Sequence, residues 1–145
     1  MTYTNIKKTI MKTIIYFVMM ALTVSLVACS TTVKFPVSQI VPAADGKVMI
    51  KKDKNNNYQI GVKIKYLANA DRLNPPKEHY IAWIITNSGK TVNIGMLASD
   101  KKNNASLQGL TSFKPDQIFI TAENENNASW PSSQEIFRIE NLNLK

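Results

Sequence analysis

Apolar and polar residues alternate with a period of two through most of the chain, the pattern of half-buried β-strands. The clearest case is the segment 58–66, where apolar residues at even positions alternate with Gln, Gly and Lys. The run 80–86 is apolar on both faces, which predicts a central strand. The pattern predicts strands at residues 33–41, 48–52, 58–66, 80–86, 91–97, 105–110, 117–123 and 135–142.

Turn-forming residues separate these predicted strands. The Asn-rich segment 53–57 follows the second strand, and Pro36 confines the first strand to a sheet edge. Asn74-Pro75-Pro76 excludes its segment from the centre of a sheet. Seven or eight short strands at this spacing predict an all-β fold, a single Ig-like β-sandwich of mostly antiparallel strands. An open barrel is the alternative architecture.

The first 28 residues differ in character from the rest of the chain. Residues 14–27 form an unbroken apolar run, and three basic residues precede it: Lys7, Lys8 and Lys12. At about 1.5 Å per residue the run spans roughly 21 Å as a helix, less than the roughly 30 Å hydrocarbon core of a bilayer. The segment therefore predicts a secretory signal peptide, with either Met1 or Met11 as its start.

The end of this segment, Leu26-Val27-Ala28-Cys29, resembles the lipobox of bacterial lipoproteins. The resemblance implies lipidation of the Cys29 sulfur, cleavage before Cys29, and acylation of the new amino group with a fatty acid such as palmitate. Several acyl chains together hold a protein stably at a membrane. Two alternatives stay open at this point, a free thiol after ordinary signal cleavage and an uncleaved anchor.

The predicted boundaries follow from the lipobox. Residues 1–28 are the signal peptide, 29–34 are the lipidated cysteine and a short tether, and 35–145 are the sandwich domain. Ser30 follows the cysteine, and similarity to the enterobacterial sorting rule then favours the outer membrane. We therefore expect a protein of the bacterial cell envelope, attached to the membrane through Cys29.

Three further segments carry a second resemblance. They are Tyr80-Ile-Ala-Trp83-Ile84, then Ile94-Gly95-Met96-Leu97, then Ile118-Phe-Ile-Thr-Ala-Glu123 with Pro131 eight residues later. Their order is similar to the extracytoplasmic C-terminal domain of anti-sigma-K factors, over residues 78–137. The resemblance implies a β-sandwich sensor or interaction module outside the cytoplasm, here without the sigma-binding region of that family.

Composition excludes several kinds of site. The chain has one Cys and one His, so it predicts neither a disulfide framework nor a Cys/His metal cluster. No cofactor is expected. No serine lies in a nucleophile-elbow motif with His79, and Glu123 and Glu125 are expected to be solvated loop carboxylates rather than an acid/base pair. The protein is therefore expected not to be an enzyme.

The formal charge of +8 includes lysines that fall on one strand face if residues 48–52 and 58–66 pair as a hairpin: Lys47, Lys51, Lys63 and Lys65. Such a stripe meets phosphate groups of lipids, or it is a solvated face that discourages edge pairing. Aromatic residues do not interleave with these lysines, and no nucleic-acid motif is present. A nucleic-acid partner is therefore not expected.

Two surfaces are candidates for recognition. Trp83 shares one side of its strand with Ile81 and Ile85, which we expect to be the core side. The other side carries Tyr80, Ala82 and Ile84, a candidate protein interface if that face is exposed. Trp130, in an Asn-rich loop, is a candidate ligand contact.

These observations predict a non-catalytic envelope lipoprotein that acts as a protein-interaction or envelope-sensing module, with an envelope protein as its partner. The alternative is a lipoprotein that binds a small ligand or a glycan through loop aromatics. A pocket lined by Trp130, Tyr66 or Tyr80 favours the alternative, whereas an uncovered apolar strip around Tyr80 favours the first function.

Overall fold

Hydrogen-bonded strands make up about half of the residues in the computed structural model, which describes residues 10–14, 16 and 30–144. The strands of the described residues are β1 (Ser30–Lys34), β2 (Asp45–Lys52), β3 (Tyr58–Lys65), β4 (His79–Thr86), β5 (Thr91–Met96), β6 (Ala98–Ser99), β7 (Ala105–Thr111), β8 (Pro115–Glu123) and β9 (Glu135–Ile139). A single 3₁₀ turn, Ala70–Arg72, lies between β3 and β4 in this part of the chain.

These strands form two antiparallel sheets. One has the order β1-β2-β3-β7-β6 and the other β5-β4-β8-β9. The chain crosses between the sheets after β3, returns after β5 and crosses again after β7. This Greek-key path matches the predicted Ig-like sandwich, because β2-β3-β7-β6 and β5-β4-β8-β9 follow the strand orders A-B-E-D and C′-C-F-G of an Ig domain.

The strand predictions hold in the body of the domain and fail near residue 30. The predicted strand 58–66 is β3, and 80–86 is β4, which is central because β5 and β8 flank it. Residues 30–34, predicted as a tether, instead form β1 and pair along their whole length with β2. The predicted strand 33–41 ends at Lys34, because the Ser38 hydroxyl accepts hydrogen bonds from Ile40 and Val41 N–H in a turn.

The main core lies between the inner faces of the sheets. β2 and β3 contribute fully buried Val48, Ile60 and Val62, and β8 contributes Ile118 and Ile120. These residues occupy alternate positions of their strands, as the period-two pattern requires.

The two sheets approach most closely where β7 crosses β5. A Cβ atom on Gly109 of β7 would lie 2.2 Å from Ile94 Cγ2. Any larger residue at position 109 would therefore collide with β5, so the missing side chain allows this contact.

The two faces of β4 are assigned in the reverse of the prediction. Tyr80, Ala82 and Ile84 point into the main core and are 4%, 0% and 0% exposed. Trp83 belongs instead to a small second cluster with Ile81 and Phe119 on the outer side of the sheet. Both faces of β4 are apolar, so alternation alone does not show which of them meets the opposite sheet.

Two hairpin loops close in the same way. The carboxylate of Asp53 accepts hydrogen bonds from the backbone N–H groups of Asn55 and Asn57. Asp100 accepts the equivalent bonds from Lys102 and Asn104. Hydrogen bonds from Asn57 and Asn104, on the backbone and the side chain, hold the pKa values of Asp53 and Asp100 below the ordinary value. These carboxylates close turns, which stabilises the short hairpins.

The segment before β1 is described only in part. Residues 10–14 are helical, and no helix among the described residues is long and apolar enough to cross a membrane. Cys29 and most of the predicted signal peptide lie outside the described residues.

We predict that Ile84→Ala lowers the free energy of unfolding by about 2–5 kcal/mol, because it removes a fully buried side chain from the main core. Leu110→Ala, at a site that is 63% exposed, should change it by about 0.5 kcal/mol or less. Urea denaturation followed by Trp83 fluorescence measures both in a Trp130→Phe background. Equal losses in the two variants would contradict the inward placement of Ile84.

Candidate functional site

The sandwich has two distinct ends. One end, here called the Ser30 end, holds Ser30 and its partner Lys51, the start of β3 and the end of β7. Thr86 and Pro115, which pair with each other, lie at this end because only three residues link β7 to β8. The opposite end, the His79 end, holds the first residue of β4 and its partner Glu123.

A surface groove of about 580 Å³ lies at the His79 end. It runs between the segment that precedes β4 and the stretch 96–99, which joins β5 to β6. Its polar lining is mostly charged or amide, and includes Asn69, Asp71, Lys77, Glu78, His79 and Ser99. An open groove of this size, with several polar groups at its wall, is large enough for a small ligand.

The groove has defined geometry at His79 and Tyr80. His79 Nε2 lies 3.6 Å from Glu78 Oε2, and the imidazole is partly exposed at the start of β4. The Tyr80 hydroxyl donates a hydrogen bond of 2.8 Å to Ala68 O, which fixes the segment before β4 against the strand. Burial raises the pKa of Tyr80 to about 12, and the nearby charge of Asp71 adds to this effect.

A chain of hydrogen bonds lies on the outer side of the four-stranded sheet. Trp83 Nε1 donates to Thr121 Oγ1 at 2.8 Å, and the Thr121 hydroxyl donates to Glu123 Oε1. The same carboxylate accepts the backbone N–H of Ser132 at 2.7 Å. Ser132 Oγ in turn donates to Ala122 O. We call Trp83, Thr121, Glu123 and Ser132 the outer network.

The outer network is buried although it is polar. Trp83 and Thr121 are each 1% exposed, and Glu123 is 5% exposed. Hydrogen bonds to the Glu123 carboxylate replace part of its lost hydration, as burial of an acidic group requires. The expectation of a solvated Glu123 is therefore wrong, whereas Glu125 is exposed as expected.

Aromatic and charged side chains extend this arrangement toward β9. The rings of Trp83 and Phe119 stack with centroids 6.4 Å apart, and the Arg138 guanidinium lies 4.3 Å from the Phe119 centroid. Arg138 also donates to Glu135 and Gln117 at 2.9 Å each. Arg138 therefore covers an aromatic ring that would otherwise face water.

The loop 124–134 is tied to the sheet while its tip stays exposed. Asn93 Nδ2 donates to Ala128 O at 2.9 Å, and Gln134 Nε2 donates to Pro75 O at 3.1 Å. Trp130, between these two attachments, is 78% exposed, the largest exposure among the large apolar residues from 30 to 144. A Trp held by a fixed loop at low entropy cost is typical of recognition surfaces.

The structure places the candidate residues predicted from the sequence in different environments. Tyr80, Ala82 and Ile84 are core residues, so they offer no exposed interface. Trp130 is exposed as its candidate role requires but does not line the groove, whereas Tyr80 does.

Sequence reasoning missed the outer network altogether. Its only signal was the Thr121-x-Glu123 segment ahead of Pro131, which enters the second resemblance. Among the described residues, no group of three or more His, Cys, Asp and Glu is placed to hold a metal ion.

No family model matches this chain, and no curated protein matches it significantly.

We predict that Thr121→Val lowers the free energy of unfolding by about 1–3 kcal/mol, because it leaves the buried Trp83 N–H without a partner and removes one of the two hydrogen bonds to the buried Glu123 carboxylate. The matched control is Thr91→Val, on the same outer side at a half-buried position without a described side-chain hydrogen bond. Thermal unfolding measures both variants. A loss in the control as large as that in Thr121→Val would contradict a structural role for the outer network.

Proposed function

We propose that this protein is a lipid-anchored protein of the bacterial cell envelope whose β-sandwich is a non-catalytic interaction or sensing module. The observation that carries the proposal is that Ser30, the residue directly after the predicted lipidated Cys29, pairs with Lys51 in the sheet. A strand that includes Ser30 leaves no long linker between the lipid and the sandwich. The domain is then held at the membrane surface, with the outer membrane as the expected location.

The second support is the convergence of the segments that resemble the outer domain of anti-sigma-K factors. Tyr80 and Trp83 lie on β4, Ile94–Met96 lie on the neighbouring β5, and Thr121 and Glu123 lie on the neighbouring β8. Trp83 and Thr121 share a hydrogen bond although they are 38 residues apart. Residues that carry a resemblance and also lie on three neighbouring strands favour a shared structural plan over a chance match.

The positions of the two ends of the sandwich support a recognition surface at the His79 end. β1 includes Ser30 at the Ser30 end, so an anchor on Cys29 attaches the domain to the membrane at this end. The loop 124–134 and the groove both lie at the opposite end. Exposed Trp130 is then remote from the attachment point, where an envelope protein reaches it.

The groove favours the alternative function, binding of a small ligand or a glycan. Asn69, Asp71 and His79 supply hydrogen-bond donors and acceptors around a volume of about 580 Å³. Sugars are recognised by such polar groups together with aromatic surfaces. Trp130 lies outside the groove lining, so this alternative rests on the groove itself.

We predict that the protein extracted from membranes has an intact mass equal to the chain from Cys29 plus a diacylglyceryl group and an amide-linked acyl chain. Cys29→Ser should abolish the lipid mass, because an alcohol does not replace the reactive thiol, while Ser30→Ala should retain it. Metabolic labelling with a fatty acid provides a second readout. An unmodified thiol on a chain that still carries residues 1–28 would refute the anchor.

We predict that Trp130→Ala reduces capture of a specific envelope protein by crosslinking about tenfold, since truncating a central Trp typically costs an interface more than 1 kcal/mol. Leu110→Ala, which removes an exposed apolar side chain at the Ser30 end, should leave the capture unchanged. The readout is quantitative mass spectrometry of crosslinked envelopes from cells with each variant.

Ser99→Trp distinguishes the alternative function, because it fills the groove without touching loop 124–134. Capture that survives Ser99→Trp but fails with Trp130→Ala supports the interaction module. The ligand-binding alternative predicts two other results. Ser99→Trp releases a small molecule that co-purifies with the wild type, and Trp130→Ala captures as much of the envelope protein as the wild type does.

A further inference from the structure

The outer face of the five-stranded sheet is strongly basic. Residue pairs across the strands place Lys34 of β1, Lys47 of β2 and Lys63 of β3 in one row. Lys51 and Lys65 lie on the same face, and Asp45 is the one acidic residue that this face holds among the described residues. We call these five lysines and their surroundings the basic face. The strand pairing confirms the predicted lysine stripe and extends it to β1.

The basic face holds the whole excess charge of the folded domain. The chain has 18 basic and 10 acidic residues, and four of the basic ones lie outside residues 30–144, namely Lys7, Lys8, Lys12 and Lys145. Residues 30–144 therefore carry 14 basic and 10 acidic residues, a net charge of +4. Five lysines and one aspartate give the basic face +4 as well, so the rest of the domain is neutral.

No ion pair described on the protein neutralises these lysines, although Asp45 lies across from Lys65 in the register. All five are exposed, and none of them makes an ion pair among residues 30–144. Like charges directly opposite on neighbouring strands destabilise a sheet, so the row of Lys34, Lys47 and Lys63 has a structural cost. An anionic surface against the face would remove that cost.

The shape of the basic face suits contact with the headgroups of a lipid bilayer. A shallow depression of about 90 Å³ is framed by Lys47, Lys51 and Lys63, and Gly61 forms part of its lining. A Cβ at position 61 would lie 2.9 Å from Gln108 Nε2, so a larger residue would disturb this lining. Met49, on the same face, is 44% exposed and adds an apolar contact between the lysines.

We propose that the basic face lies flat against an anionic phospholipid bilayer, with lysine ammonium groups on lipid phosphates. This inference rests on the proposed lipid anchor, which brings β1 to the membrane surface. Adjacent Cα atoms are 3.8 Å apart, so Ser30 lies within a Debye length of about 8 Å from an anchored Cys29. A basic surface held there is attracted to anionic lipids. A second copy is a poor occupant, since two faces of +4 repel.

An anchor at the edge strand also permits an end-on orientation, with the Ser30 end against the membrane. Lys90 and Lys114 distinguish the two orientations. Lys114 precedes β8 at the Ser30 end, and Lys90 follows Thr86 in the β4–β5 turn, both outside the basic face. A flat orientation shields Lys47 and Lys63, whereas an end-on orientation shields Lys90 and Lys114.

The test reconstitutes the full chain in vesicles of phosphatidylcholine alone or with one quarter phosphatidylglycerol. A membrane-impermeant amine reagent labels the outside, and mass spectrometry measures each lysine. We expect Lys47 and Lys63 labelling to fall about threefold or more with phosphatidylglycerol and to recover at about 1 M salt, where the Debye length is about 3 Å. Labelling of Lys90 and Lys114 should be equal in both vesicles.

Charge-reversal variants supply the matched control. Lys47→Glu with Lys63→Glu should abolish the lipid-dependent shielding of Lys34 and Lys65. Lys101→Glu with Lys102→Glu, the same charge change in the β6–β7 loop, should retain it.

Two results would overturn the inference. They are equal labelling of the basic face in both vesicles, and shielding of Lys90 and Lys114 in its place. Intact mass of the same samples reports separately on the Cys29 lipid. A missing lipid therefore refutes the proposed function, whereas the labelling pattern tests whether the basic face lies against the bilayer.

Discussion

Burial of β4 on both faces is the constraint on which the rest of this structure depends. Its inner side chains fill the core between the sheets, and its outer side chains include Ile81 and Trp83, which are 0% and 1% exposed. A sandwich sheet normally leaves its outer face to water. An apolar outer face needs a cover, and here the chain supplies it from loop 124–134 and the Arg138 side chain.

The cover of the outer face also determines which side chains are exposed at the His79 end. The loop is held by three hydrogen bonds, from Ser132 N–H to Glu123, from Asn93 to Ala128 O and from Gln134 to Pro75 O. A loop fixed at three places displays Trp130 with little conformational freedom to lose on binding. The cluster that stabilises the sheet thus also shapes the surface proposed for recognition, and the adjacent groove adds a polar site at the same end.

The two sheets divide the surface chemistry of the domain. The outer side of β5-β4-β8-β9 is aromatic and closed by hydrogen bonds, whereas the outer side of the other sheet carries the domain's excess positive charge. Under the proposed lipid anchor and the proposed flat orientation, the charged side faces the bilayer and the His79 end stays accessible. Attachment, orientation and recognition then use different parts of one sandwich, so that a change in one leaves the others intact.

Much of the fold was predictable because its elements are local. Strand β3 and the hairpin with β2 follow from alternation and a five-residue turn, and the same register places Lys47 opposite Lys63. The end of the first strand was not predictable in this way, since β1 depends on pairing with β2 across the turn at Ser38. Pro36 signalled an irregularity there but not its position.

The candidate site was less predictable, because its parts are distant in the sequence. Trp83 and Thr121 are 38 residues apart, and Ser132 reaches Glu123 only through the path of the loop. By itself the sequence determined the all-β class, the positions of the strands after β1 that carry clear alternation, and the lysine stripe, since period-two patterning and turn chemistry act over a few residues. Only the tertiary structure decided which side of β4 faces the core and that Glu123 is buried, because both depend on which distant segment covers each face.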